Sequence, residues 1–434
     1  MAESQFLAGA AREDITPAVG TLLYGYNPHQ VSTSIHDPLS VTAAAFRQGG
    51  ETAVLLSVTV GDFATELNDE IRAKMSEACG VPASRLLVSA THTHSAPNVA
   101  GLEGWGGVDR PYVDDILFPA MIRTCAEAVN ALAPAELAVG VTQSQVGVNR
   151  RQMMRDGSIT LGQNPWGVYD PSMTCIAVRS AETKKGIINL IHYGCHGTAA
   201  GCNHEITRDW SGVMIDRMEA ETGTLTAFWN GAMGDVGPRL TNGGTTGDIR
   251  HVQELGGIAA MDSMRAYRAC GSFAPGKLRV YEGEVKIPYK PLPPREQVIA
   301  RLASYTEPEK LINIDKLEYA HCKAVAEVYD AGIPAHDTYF RFPQTIVSLG
   351  EAAFIPTPFE IFAETSLRMR EYAPMRHALM LSNTNGYREY LPTEDQICRG
   401  GYEIQCFRFC GAYTLADNAD QVILDENLRI MERK

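Results

Sequence analysis

Leu86-Leu87-Val88-Ser89-Ala90-Thr91-His92-Thr93-His94-Ser95-Ala96-Pro97 is the stretch on which the reading of this chain turns. An apolar run of strand formers ends in a His-Thr-His triplet, and Pro97 then stops the ladder. In extended backbone, residues i and i+2 share a face. His92 and His94 are therefore expected to project together from the end of a buried strand, where open α/β sheets place their ligands. Two imidazoles converging there read as a metal site or an acid/base pair. The plainer alternative is a pair of surface histidines satisfied by Thr91, Thr93 and Ser95.

Upstream of the triplet, residues 40–47 and 52–60 read as strands joined by a Gly49-Gly50 turn. Residues 65–79 have helical spacing, with Leu67, Ile71, Met75 and Ala78 on one face and Gly80 as the C-cap. This strand–helix–strand order predicts a parallel pair in an α/β sheet. Downstream, helices are expected at 112–132, 209–221 and 248–269, and strands at 136–143, 174–179, 186–193, 225–229 and 280–287. Pro291-Leu292-Pro293-Pro294 marks a break before a helical stretch at 295–331. A hairpin through Gly350-Glu351, a helix after Pro358, a strand at 378–381 and a helix near 413–431 complete the chain. The expected architecture is a mixed β-sheet core flanked by helices, with a metal site at strand ends. One domain is expected over 1–434, with a candidate helical insertion at 291–335.

The 434 residues, 45% hydrophobic and 21% charged, have the composition of a globular protein with a large core. A formal net charge of -13 argues against nucleic acid and anionic membranes as partners and leaves a small molecule. The ten cysteines form no Cys-x-x-Cys pair, which excludes a zinc ribbon and a thioredoxin motif. Met1-Ala2-Glu3-Ser4-Gln5 carries no secretory signal, and no stretch approaches the ~20 apolar residues of a membrane span. A cytoplasmic location with reduced thiols is the expectation. Oligomeric state is not legible.

Three strand ends carry titratable groups: His92 and His94, His196, and Asp235. Later loops add Glu360, Tyr387, Tyr390 and Tyr402. Singly, each has a structural account, as a satisfied histidine, a turn or helix-end carboxylate, or a core aromatic. Their shared placement just past strand ends favours a site.

Five stretches in order resemble the neutral (non-lysosomal) ceramidase family, a group of zinc-dependent amidases. They are Gly9-x5-Ile15-Thr16-Pro17; Ile35-His36-Asp37-Pro38-Leu39; Ala90 to Pro97; Tyr193-Gly194-Cys195-His196-Gly197-Thr198; and Asn383-x-Asn385-Gly386-Tyr387-x2-Tyr390-Leu391-Pro392-Thr393, continuing to Gly400-Gly401-Tyr402-Glu403. The resemblance spans nearly the whole chain but only the family's catalytic domain, without its signal sequence and C-terminal immunoglobulin-like domain. It implies that His92, His196, Glu360 and Tyr390 bind Zn2+. It also implies that His94, His36 and Arg150 line the substrate pocket, and that Tyr402 points its hydroxyl at the scissile carbonyl. Such a zinc polarises the carbonyl and lowers the pKa of a water to about 7, while His94 serves the leaving nitrogen. Beside these, Asp235 is a candidate catalytic residue, and Asn149 and Tyr387 are candidate substrate-binding residues.

The sequence also departs from the family. Gly197 replaces the usual proline after the second histidine, and Gly237-Pro238-Arg239 stands where Ser-Pro-Asn is usual. Arg150, Arg151, Arg155, Arg208 and Arg239 cluster near the motifs, as grips for a carboxylate or phosphate or as surface ion pairs with Asp156, Glu205 and Asp209. The expected function is hydrolysis of an amide-like bond in a small, polar, anionic substrate rather than ceramide. The alternatives are a hydrolase or lyase acting on an ester or sugar linkage, and a non-catalytic metal-stabilised binding protein.

Overall fold

The computed structural model describes residues 4–332 and 338–432. Its strands Glu51–Val58 and Leu86–Ala90 are apolar almost without alternation, as strands covered on both faces must be. They pair in parallel, from Val54↔Leu86 to Val58↔Ala90, around the helix Thr65–Cys79. That helix buries Leu67, Ile71 and Met75 and stops at Gly80, which adopts the left-handed conformation of a C-cap. A second unit of the same kind joins Gly186–Tyr193 to Thr226–Asn230 in parallel, through the helix Asp209–Thr222.

The two units occupy opposite edges of one mixed sheet. Its strands run in the order Thr226–Asn230, Gly186–Tyr193, Ser172–Ser180, Ala133–Gln143, Leu7–Asp14, Ser40–Gln48, Glu51–Val58 and Leu86–Ala90. The sheet curls until these edges meet: Ser57 Oγ donates to the Phe228 carbonyl at 2.6 Å, and Asn230 Nδ2 to the Thr91 carbonyl at 3.0 Å. Curling brings together the C-terminal ends of two parallel pairs, the ligand-binding end of such units.

The segment Ser382–Asn385 closes the gap. Ala90 N–H donates to the Asn383 carbonyl at 3.1 Å, Asn385 N–H to Val88 at 2.9 Å, and Ser382 N–H to Asn230 at 3.1 Å. Asn383 and Asn385 take left-handed backbone, with φ 47° and 62°, which asparagine tolerates better than most residues. This segment continues His377–Leu381, a strand of a second sheet with Leu278–Pro288, Tyr339–Leu349 and Ala352–Pro356. Leu349, Phe354 and Leu381 of the second sheet share one core with Leu55, Leu87, Leu190 and Trp229 of the first.

Helices Arg295–Ala303 and Asn313–Asp330 lie in the stretch read as helical, and residues 333–335 of the expected insertion lie outside the described residues. Elements that were not expected include the hairpin Gly147–Met153/Ile159–Asn164, the short strand Val236–Pro238, and the helix Tyr402–Phe409. Asn149-Arg150-Arg151 is too polar to read as a buried strand, yet it is buried, its charges compensated by Glu403 from that helix. Around this hairpin Met153, Leu161, Trp166 and Val168 stand in the open, with Trp166 94% exposed. No described helix is long and apolar enough to cross a membrane.

Candidate metal centre

His92 and His94 converge, but not by strand alternation. The strand ends at Ala90, and His92 has φ 65°, so the extended geometry expected of the triplet is corrected. What brings the rings together is the loop's contact with its neighbour. Thr93 bridges Gly197, and His94 N–H donates to the Gly197 carbonyl at 3.1 Å, which places His196 beside both. Gly197 is required here, because a Cβ on it would lie 2.6 Å from the His92 carbonyl oxygen. Gly25 (φ 107°) leaves room for the His94 ring in the same way. The Nε2 atoms of His92 and His94 are 3.1 Å apart.

Each of the other imidazoles is fixed from behind. His92 Nδ1 lies 3.2 Å from both the Gly61 carbonyl and Asp62 Oδ1, and 3.1 Å from Asn383 Nδ2. His196 Nδ1 donates to the carbonyls of Met233 at 2.9 Å and Val236 at 3.1 Å. With an ion bound, a proton held on each Nδ1 would leave the Nε2 lone pair facing inward, the arrangement by which carboxylates and carbonyls orient ligating histidines.

Glu360 arrives from the other side. Glu360↔Tyr390 and Ile361↔Leu391 form a two-residue parallel ladder, so the carboxylate and the phenol stand side by side. Glu360 Oε2 is 2.9 Å from His196 Nε2 and 3.8 Å from His92 Nε2, while Oε1 accepts from the Tyr387 hydroxyl at 3.0 Å. The donor atoms of His92, His196 and Glu360 all lie within 4.8 Å of one another. His196 Nε2 and Glu360 Oε2 are buried with no hydrogen-bond partner. Buried polar atoms are rarely left so, and two lone-pair atoms facing each other fit a shared cation. The Tyr390 hydroxyl accepts from Arg150 Nη2 at 2.9 Å, and its ring lies parallel to His196.

The electrostatics agree. Burial drives His196 down to about 3, with Arg150 adding to it, so the ring is neutral. Burial also lowers His94, and the neighbouring histidines lower it further. Burial opposes charge on His92 too, but Asp62 and Glu360 outweigh it and hold the ring up at about 9. Burial opposes the Glu360 carboxylate, yet His92 and His196 bring it down to about 2. Without an ion, the cluster therefore keeps a proton on His92 against Glu360. Binding a metal ion there would release that proton.

Two adjoining spaces open on the cluster. A recess of about 20 Å³, lined by Tyr24, His92, His94, Glu360, Glu389 and Tyr402 among others, has room for one water-sized group. The cleft outside it, about 170 Å³, is walled by Tyr26, Trp105, Arg150, Thr198, Thr245 and Asn313 among others.

Of the residues expected at the site, His92, His94, His196, Glu360, Tyr387, Tyr390, Tyr402 and Arg150 line these spaces. Three are not among the lining residues. His36 pairs with Asp37 at 2.8 Å. Asn149 Nδ2 donates to the Val168 carbonyl at 2.8 Å and to Asp235 Oδ2 at 3.1 Å. Asp235 also accepts the Ala363 N–H at 2.8 Å, and burial pushes it up to about 7. Among the other arginines, Arg208 is held by Asp37 and Asp216, and Arg239 by the carbonyls of Gln145 and Gly147.

Sequence reading missed Asp62, Tyr24 and Glu389. The Tyr24 hydroxyl donates to Asp62, which in turn fixes His92. Glu389 Oε2 is 3.1 Å from the Tyr387 hydroxyl, which has one proton for two carboxyls. Burial and Glu360 push Glu389 up to about 8, against the Tyr387 hydroxyl, whose hydrogen bond to the carboxyl lowers it.

No family profile and no curated protein sequence matches the chain. Solved structures do. The neutral ceramidase from Pseudomonas aeruginosa superimposes with a TM-score of 0.75 at 18% identity, over 99% of this chain and 75% of that one. A ceramidase complexed with C2 gives 0.73 at 16% identity, over 99% and 75%. The chain thus shares the fold of the neutral ceramidases.

Proposed function

We propose that this protein is a metal-dependent hydrolase that cleaves an amide bond of a small polar substrate. The observation that carries the reading is the buried His196 Nε2 and Glu360 Oε2, 2.9 Å apart and with no other partner than each other and His92, beside an Nδ1-anchored His92. The shared fold with structures named as ceramidases supports the choice of an amide. His92, His196, Glu360 and Tyr390 would hold the ion, and two imidazoles, a carboxylate and a phenol suit zinc better than calcium. An ion there supplies Lewis-acid polarisation of a carbonyl and a more acidic water.

The chain's own groups do the rest. Tyr402 donates its hydroxyl to the carbonyl oxygen as negative charge develops. His94, neutral and 3.1 Å from His92 Nε2, carries a proton to the leaving nitrogen. Arg150 holds the Tyr390 hydroxyl and Tyr387 holds Glu360, so neither donor drifts. Trp105 and Leu102 wall the recess and limit water. Ten cysteines outside any disulfide are compatible with a reducing compartment, the cytoplasm in our reading.

The test is metal content and turnover together. Wild-type protein is expected to bind about one zinc and to hydrolyse short N-acyl substrates, whereas His92→Ala and His196→Ala lose the metal. Wild-type metal content in both variants would end this assignment. Metal without any hydrolysis would leave a metal-stabilised binding protein.

A further inference from the structure

Cys79 is the last residue of the helix Thr65–Cys79, and Cys125 lies midway along the helix Phe118–Asn130, which packs against it. Cys125 is buried in the core that the two helices share, whereas Cys79 is half-buried at its edge, between the exposed Ala78 and Gly80. Their sulfurs are 3.7 Å apart, with the Cys125 thiol donating to Cys79. A disulfide needs them about 1.7 Å closer. That is within reach of side-chain rotation at a helix end, where Gly80 (φ 72°) already leaves the helical backbone. The two thiols are not equivalent. The hydrogen bond from Cys125, with help from the Val81 N–H, holds Cys79 below the usual thiol range against burial. The same bond, together with burial, pushes Cys125 above that range. The more accessible sulfur is thus the better nucleophile and the buried one is placed to resolve it, the division of labour in reactive cysteine pairs.

We infer that Cys79 and Cys125 are a redox-responsive pair that a peroxide converts to a disulfide. The Cys79 thiolate attacks one peroxide oxygen: an S–O bond forms, the O–O bond breaks, and hydroxide leaves and takes up the proton that Cys79 released. The Cys125 sulfur then attacks the Cys79 sulfur. The S–S bond forms, the S–O bond breaks, and the hydroxyl departs as water with the Cys125 proton. Both thiols are oxidised, by two electrons in all, and one hydrogen peroxide is reduced to two waters. The new bond closes a loop over residues 80–124, which carries His92, His94 and Trp105. Such a link removes loop entropy from the unfolded chain, so the oxidised protein is the more stable form, and a thiol reductant reverses it. The inference stands apart from the hydrolase reading, because neither thiol lines the recess or the cleft.

The test titrates the reduced full chain with hydrogen peroxide, removes the excess with catalase, then unfolds, alkylates and maps the cysteines by mass spectrometry. The expected first product is a peptide pair joined through Cys79 and Cys125, about 2 Da lighter than its reduced parts. It is expected to form before the exposed Cys202 and Cys398 are oxidised, and to be undone by dithiothreitol. The melting temperature is expected to rise by about 2–4 °C on oxidation and to fall back on reduction. Cys125→Ala keeps the nucleophile without its resolving partner, so Cys79 is expected to stop at a sulfenic acid that dimedone traps, with no rise in melting temperature. Cys79→Ala is expected to leave Cys125 free to alkylate. Oxidation of Cys202 and Cys398 while Cys79 and Cys125 stay reduced would overturn the inference. So would a wild-type Cys79 that goes on to the sulfinic acid without forming the link. Both results are read on wild type, so a variant that fails to fold is no refuge.

Discussion

Gly197→Ala tests how the two histidine loops are joined. The new Cβ would sit 2.6 Å from the His92 carbonyl oxygen and 3.0 Å from Thr93 Cα, both backbone atoms that cannot swing aside. Ordinary contact begins near 3.4 Å, so the loops must part by about 0.8 Å. Metal–ligand distances tolerate about 0.2 Å, so this displacement separates His92 from His196 by more than an ion can bridge. Zinc affinity is expected to fall at least about tenfold, and overpacking to cost about 1–3 kcal/mol of stability. Competition with a chromogenic chelator measures the first and urea unfolding the second. Gly50→Ala, where a Cβ meets nothing within 4 Å, is the control. Wild-type zinc affinity in Gly197→Ala would refute the claim that this contact sets the ligand spacing.

Tyr402→Phe is expected to keep its zinc and lose roughly 10²–10³ in kcat, the effect of one oxyanion donor; metal analysis beside steady-state kinetics checks both. Asp235 sits near 7 in the folded chain against 3.8 normally, so between about pH 4 and 7 the folded state holds a proton that the unfolded state has lost. Stability from this group is full below that window and falls as pH rises, by up to about 4 kcal/mol. Melting curves of Asp235→Asn should therefore depend less steeply on pH than those of wild type, and parallel profiles would count against it. Arg150→Ala is expected to lower kcat/KM by the same factor, within about threefold, on N-acetylglutamate and N-acetylglutamine, because Nε and Nη2 are engaged by Glu403 and Tyr390. A loss confined to the anionic compound would restore the carboxylate-grip reading.

What the sequence made legible is local. The face Leu67–Ile71–Met75 and the cap at Gly80 follow from spacing over a single turn or two, and the structure places helix and cap where the pattern puts them. The parallel pair around that helix follows from element order. What was hidden depends on distant segments. Asp62 is one aspartate in a loop until folding sets it against His92, 30 positions away. Asp235 looks like a strand-end catalyst, but its carboxyl is held by the Ala363 N–H, 128 positions away. Arg150 and Arg151 look like surface charge until Glu403, some 250 positions later, buries them. The histidine triplet was read correctly as convergent for an incorrect reason: loop contact with Gly197, not strand alternation, turns the rings inward.

The proposed ligand set would make the halves of the fold depend on each other. His92 follows one edge strand of the curled sheet and His196 the strand next to the other edge, and those edges meet through side-chain bonds and the inserted Ser382–Asn385 segment rather than a continuous ladder. Glu360 and Tyr390 come from a ladder only two residues long, in which a slip of one position would turn both away from the histidines. Neither source holds the centre alone. In the ion-free chain the proton on His92 against Glu360 spans the same gap. An ion binding only when all four groups are assembled would replace that proton and stabilise the assembled state by mass action. If the proposed centre holds an ion, its assembly and the closure of the curled sheet would be one equilibrium, and Gly197→Ala is expected to weaken both.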